Sequence, residues 1–214
     1  MNNGIIFDLD GTLWDSSTQV VPAWNIVLGR HKELNCQITI SDMQSFMGKT
    51  LSEITKLLLP IIPIHEGIDI LKECCNEEQI YLREHGGILF PKLEETLSNL
   101  KEHYKLYIVS NCQDGYIQTF LNYHKIWDYF EDFECSGKTG MSKGENIKTI
   151  IDRNNLDKAI YVGDTQGDLD AADFALIPFI YASYGFGNID RDTITINSFS
   201  EIEIVVMLPQ SWLK

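Results

Sequence analysis

Gly4-Ile5-Ile6-Phe7-Asp8-Leu9-Asp10-Gly11-Thr12 is a short apolar run that stops at two carboxylates and a glycine. Residues 4–9 read as a nearly continuous apolar strand, the pattern of a parallel sheet whose two faces are both covered by helices. Leu106–Val109 and Ala159–Val162 have the same character. A fourth strand is expected at Leu176–Tyr181, which Pro178 weakens or moves toward an edge, and a fifth at Thr193–Ile196.

Helical patterns fall between these runs. Leu93, Leu97 and Leu100 share a face before the second strand, and Ile117, Phe120 and Leu121 share one after it, with Asp114 a candidate cap. Ile147, Ile150 and Ile151 follow Lys143, and Leu169–Phe174 follows a turn rich in Gly and Asp. This alternation predicts an α/β fold with a Rossmann-like, mainly parallel sheet. Residues 15–86 break the rhythm, with helical stretches at Val20–Leu28, Leu51–Leu59 and Ile68–Leu82 and no clear strand. They predict a small inserted helical cap domain, leaving 1–14 and 87–214 as the core.

Three of the strands end in polar clusters: Asp8 and Asp10, Ser110 and Asn111, Asp164 and Asp168. Ligands of open α/β sheets gather at the carboxyl ends of strands, so three distant segments point to one cleft. Carboxylates as close as Asp8 and Asp10 repel unless a cation or proton separates them, and an oxygen-rich set suits Mg²⁺.

Composition narrows the partner. A net charge of −14, from 17 Lys and Arg against 31 Asp and Glu, argues against nucleic acid, whose backbone is met by clustered cations. A small anionic substrate is still compatible, because one lysine, a metal ion and backbone N–H groups can meet it locally. Hydrophobic residues at 44% allow a real core. The five cysteines are odd in number and irregularly spaced, so free thiols in a reducing compartment are expected rather than a disulfide framework. No signal peptide is visible, and no apolar run approaches the roughly 20 residues that cross a bilayer. A cytoplasmic protein without a membrane partner is the expectation, and no feature sets an oligomeric state.

Phe7-Asp8-Leu9-Asp10-Gly11-Thr12-Leu13 resembles the first signature of the haloacid dehalogenase-like hydrolase superfamily, in the form its phosphatases use. Ser110-Asn111, Lys143 and Gly163-Asp164-Thr165-Gln166-Gly167-Asp168 are similar to the other three signatures in order and spacing. The resemblance implies that Asp8 is a nucleophile forming an aspartyl-phosphate and that Asp10 is a general acid and base. It implies Mg²⁺ held by Asp8, the backbone carbonyl of Asp10, and Asp164. Ser110 and the Asn111 N–H would donate to phosphate oxygens, and Lys143 would clamp nucleophile and phosphate, with Lys138 the runner-up. Asp168 would reach the metal through water or orient Lys143. Gly11 would allow a tight turn, and Thr12, counted with the substrate-binding residues, would support that loop by hydrogen bonding. Relatives that cleave carbon–halogen bonds typically lack the second aspartate, so Asp10 favours phosphoryl transfer. Gly144 stands where the family often has proline, and Asp170 and Asp173 read as solvated helix residues.

The insert resembles the small helical cap of the phosphoglycolate phosphatase-like branch. Lys49, in Gly48-Lys49-Thr50, is then a candidate anion contact, and Tyr184-Gly185-Phe186-Gly187 resembles a flexible loop at the entrance. The expected function is Mg²⁺-dependent hydrolysis of a small phosphorylated metabolite, with phosphoglycolate the lead. The alternatives are a sugar-phosphate phosphomutase, a nucleotidase, a pyrophosphatase and a catalytically silent phosphate-binding protein. Trp14-Asp15-Ser16-Ser17-Thr18 has no histidine of the kind found soon after the second aspartate in β-phosphoglucomutase relatives, which favours hydrolysis over the mutase.

Overall fold

A computed structural model describes residues 2–207. Strand β1 (Asn3–Phe7) leads to the short β2 (Trp14–Asp15) and then to helices α1 (Ser17–Arg30), α2 (Ile40–Phe46), α3 (Leu51–Leu58) and α4 (Ile64–His85). Strand β3 (Ile88–Leu89) returns antiparallel to β2, so a two-stranded ribbon joins the two ends of the helical segment. The chain continues through α5 (Leu93–Lys101), β4 (Lys105–Ser110), α6 (Tyr116–His124), β5 (Asp132–Cys135), the short α7 (Ser136–Thr139), α8 (Lys143–Arg153), β6 (Lys158–Gly163) and α9 (Gln166–Ala175). Strands β7 (Phe179–Ala182) and β8 (Ile194–Ile196) and helix α10 (Ile202–Met207) complete the described residues.

The main sheet has the order β5-β4-β1-β6-β7-β8, and every pairing in it is parallel. Strand β1 lies between β4 and β6, so the chain runs to one edge of the sheet and then crosses to the other side of β1. The ligand crevice of an open sheet forms where strand order reverses in this way. The continuous apolar run of β1 now has its cause. Ile5 and Phe7 enter one core cluster, Ile6 enters the cluster on the opposite face, and all three are fully buried. Helices α1 to α4 contribute Trp24, Val27, Leu71 and Leu82 to the same cluster as Phe7.

Several elements differ from the sequence expectation. The fourth strand begins after Pro178, because Leu176 adopts the left-handed conformation (φ 59°) that closes α9 and is 87% exposed. Helix α6 is capped by Gly115 (φ 90°) rather than Asp114. Strand β5 and helix α2 were not anticipated: β5 carries two acidic residues, and α2 spans only seven residues. Among the described residues all five cysteines are free, and no helix is long and apolar enough to cross a membrane.

His124, at the end of α6, packs its ring against those of Trp14, Phe120 and Tyr123, and its Nε2 has no hydrogen-bond partner. Burial lowers its pKa from 6.5 to about 4. Its stabilising contribution is therefore complete above pH 6.5 and lost as pH falls toward 4. Urea midpoints measured over that range should fall more in the parent than in His124→Phe, and parallel curves would contradict this.

Candidate active site

The carboxyl end of β1 delivers Asp8 between β4 and β6, where its N–H donates to the Val162 carbonyl at 2.8 Å. The Asp8 side chain is 1% exposed, and its Oδ1 accepts from Lys143 Nζ at 2.9 Å. Lys143 reaches it from the first residue of α8, whose start is fixed by a capping box between Ser142 and Glu145. The same ammonium donates to Asp168 Oδ1 at 2.6 Å.

Asp168 belongs to the first turn of α9. Its Oδ2 accepts from the Thr165 hydroxyl at 2.6 Å and from the N–H groups of Thr165 and Asp164 at 2.9 and 3.2 Å. Both of its oxygens are thus engaged by protein donors. Asp164 is held differently: the Phe186 N–H donates to its Oδ2 at 2.7 Å, while the Thr12 hydroxyl stands 3.4 Å from its Oδ1.

Three buried carboxylates share one lysine, and the electrostatics follow. Burial, then Asp168, pushes Asp8 well above the ordinary carboxylate range, against the pull of Lys143. Burial, then Asp168, raises Asp164 to about 7. Burial alone would lower Lys143, but Asp168 and Asp8 outweigh it and hold it above its usual range, so it stays charged.

The donor set fits a hard cation. Asp8, Asp164 and Asp168 each offer a carboxylate oxygen, all within 4.8 Å of one another. Asp8 Oδ2 is buried and has no hydrogen-bond partner, which an isolated carboxylate oxygen tolerates badly. Asp168 already accepts from five donors, so Asp8 and Asp164, which carry fewer, have more room to bind a cation directly. Gly11 makes room here: it adopts φ +81°, and a Cβ at that position would come within 2.3 Å of Asp164 Oδ2.

Asp10 lies in a second pocket. Its Oδ1 accepts from the Ser16 and Tyr116 hydroxyls, both at 2.9 Å, and these two hydroxyls are 2.8 Å apart. Burial raises it to about 6, opposed by the Tyr116 and Ser16 bonds. Ser110, at the end of β4, is buried, and its Oγ accepts from the Cys112 N–H at 3.3 Å. The Asn111 side chain donates to the Gly48 carbonyl at 2.9 Å and accepts from Ser136 at 2.8 Å, tying this loop to the helical insert. Its backbone N–H is the group left for a ligand role. Lys49 is exposed and borders the cleft between the insert and the α9 side of the sheet.

Other candidates fall outside. Lys138 pairs with Glu134 at 3.2 Å, and Asp170 and Asp173 are exposed. Thr12 is fully buried under the loop, in contact with Asp164, and its carbonyl accepts from the Tyr184 hydroxyl at 2.9 Å. Residues 184–187 pack against the first loop and Asp164. A Cβ on Gly185 would come within 2.3 Å of Asp164, so that glycine serves close approach. Gly144 has a similar reason, since a Cβ there would meet the Phe174 ring at 2.6 Å. The residues that spacing did not reveal are Tyr116, Ser16, Tyr184, the Phe186 N–H and Tyr161, whose hydroxyl lies 3.3 Å from Asp168 Oδ1. Ser16 carried a signal as a polar residue close after Asp10, and Tyr184 and Phe186 as members of the segment placed at the entrance.

Comparison with known proteins agrees with this geometry. The model of the haloacid dehalogenase-like hydrolase family matches residues 5–182. A phosphoglycolate phosphatase of Salmonella typhimurium is 24% identical over 237 residues, covering 97% of this chain and 94% of the relative. A haloacid dehalogenase-like family hydrolase from Streptococcus pneumoniae superposes with a TM-score of 0.82 at 23% identity, covering 96% of this chain and 99% of the other. A β-phosphoglucomutase from Clostridium difficile superposes with a TM-score of 0.73 at 19% identity, covering 94% and 93%. At those identities the two superpositions establish the fold.

Proposed function

The chain is a phosphatase that belongs to the haloacid dehalogenase-like hydrolase family, and from that premise we propose that it hydrolyses a small phosphate monoester through an aspartyl-phosphate on Asp8. The observation that carries this reading is the state of Asp8: buried, clamped by Lys143 through one oxygen, with the other oxygen unpartnered. A carboxylate oxygen of Asp8 attacks phosphorus as the bond to the leaving alcohol breaks, and Asp10 gives its proton to that alcohol. Asp10 then takes a proton from water, which attacks the aspartyl-phosphate and releases inorganic phosphate and free Asp8. Ser110 and the Asn111 N–H donate to the transferring phosphoryl oxygens, where fixed donors favour developing charge. Lys143 pulls Asp8 toward its ionised form and orients it, and Asp168 orients Lys143.

Mg²⁺, held by Asp8, the Asp10 carbonyl and Asp164, would screen the repulsion between the carboxylates and an anionic ester. Residues 15–86 form the cap, hinged on the β2–β3 ribbon, and Lys49 sits where an anion would enter. Phosphoglycolate is the first ester to try, because the named relatives act on it.

Purified protein with Mg²⁺ should release phosphate from small esters, and hydroxylamine trapping after rapid quench should locate an acyl-phosphate at Asp8. Thorough chelation should suppress turnover at least about a hundredfold. Undiminished turnover in demetallated protein would sink this reading. Release of an isomeric sugar phosphate would instead identify a mutase.

A further inference from the structure

Beside Asp10 and Ser110 the cleft widens into a cavity of about 70 Å³, room for roughly two waters at about 30 Å³ each. On the phosphatase reading above, on which this inference rests, the leaving alcohol occupies that space. Its walls are largely apolar, with Val20, Trp24, Phe46 and Ile54 supplied by the insert. Glu78 is the one acidic residue that the insert adds to this wall; it comes from α4 and is 5% exposed.

The partners of Glu78 are both neutral. Gln113 Nε2 donates to its Oε1 at 2.8 Å, and the Trp24 indole N–H donates to its Oε2. A carboxylate has about four acceptor positions, so about two remain. Among the described residues, no arginine lines this cavity, and its one lysine, Lys49, is exposed and lies near Glu53. Burial raises Glu78 to about 7, against the pull of Gln113 and Trp24, as expected of a buried carboxylate without a cation. Beside Glu78 itself the cavity therefore offers spare acceptor capacity and no counter-charge, the exposed Lys49 being the one cation elsewhere in its lining.

We infer that Glu78 is the specificity-determining residue of this site, accepting a hydrogen bond from a hydroxyl or ammonium group on the leaving alcohol and turning away one that bears a carboxylate. The substrate class is the phosphate monoester of a small polyol or amino alcohol. Glycolate, whose carboxylate would face Glu78 without a cation, is disfavoured here, unlike in the relatives whose names carry it. Discrimination of this kind is effective because a buried polar group left unmatched, or matched with like charge, costs binding that no apolar contact returns.

Three esters on one two-carbon skeleton separate the effect from size: 2-phosphoglycolate, 2-hydroxyethyl phosphate and 2-aminoethyl phosphate. With Mg²⁺ at pH 8.5, where Glu78 is ionised, the parent should show kcat/KM for the hydroxyethyl and aminoethyl esters at least about tenfold above that for phosphoglycolate. Glu78→Gln should shrink that gap about tenfold, chiefly through KM, by weakening the first two and improving phosphoglycolate. Equal rates in the parent, or phosphoglycolate in the lead, would overturn the inference alone and leave the phosphatase reading standing. An equal loss on all three esters in Glu78→Gln would assign the residue a structural role and overturn it too. Turnover of none of the three by the parent would overturn the proposed function and this inference with it. The parent series alone decides the preference, whether or not the variant folds.

Discussion

Asp8→Asn should lower turnover at least about a thousandfold and raise the thermal midpoint of the metal-free protein. The first effect follows from chemistry: a carboxamide does not form the acyl-phosphate on which the proposed reaction depends. The second follows from the crowding of Asp8, Asp164 and Asp168 around a single lysine. Folding raises the Asp8 pKa above its ordinary 3.8, so the contribution of this group is fully present below pH 3.8 and lost as pH rises through the folded value. Asparagine never ionises and escapes that loss. Calorimetry in chelator should therefore show a midpoint gain that is larger at pH 8 than at pH 5. A variant less stable than the parent at pH 8 would mean that the Lys143–Asp8 ion pair outweighs the repulsion. Parent-level turnover by the variant would refute Asp8 as nucleophile.

Lys143→Met should be the most destabilising single change in the site. Methionine matches the length of the lysine stem but removes the ammonium that both Asp8 and Asp168 accept from. Breaking a buried ion pair from one side costs about 3–5 kcal/mol, because the remaining charge is stranded. Activity should fall at least about a hundredfold, since a cation that screens nucleophile and phosphoryl group is lost. The informative readout is rescue: Mg²⁺ should raise the thermal midpoint of the variant more than that of the parent, because an added cation finds more uncompensated charge there. A variant as stable as the parent in chelator would contradict the pairing described.

The parts of the fold that could be read in advance were those where one physical demand dominates. Strands β1, β4 and β6 are buried on both faces along their centres and so are apolar there. Asp8, Ser110, Lys143 and Asp164 sit at strand ends or at a helix start, where a polar residue beside an apolar run is conspicuous. Strand β5 hid because Asp132 and Glu134 interrupt it, and the reason they are tolerated lies elsewhere: Arg153 of α8 binds them at 2.8 and 2.9 Å. In the 184–187 segment the glycines serve close approach to Asp164 and Thr165, which their letter alone does not distinguish from freedom. Tyr116 acts on Asp10 from 106 residues away, a distance over which spacing carries nothing. Glu78 was hidden in the polar run Asn76-Glu77-Glu78-Gln79, and only the rotation of α4 turns it inward.

The carboxylate of Asp168 begins α9 through one oxygen and anchors Lys143 through the other. A longer side chain would push one contact out of reach, and a neutral one would surrender the ion pair. The architecture and the chemistry of this enzyme are therefore written in a single codon. Substitutions elsewhere can retune the cap or the cavity independently of the fold. At Asp168 sequence drift has no such freedom, because a loosened helix and a misplaced lysine would be inherited together.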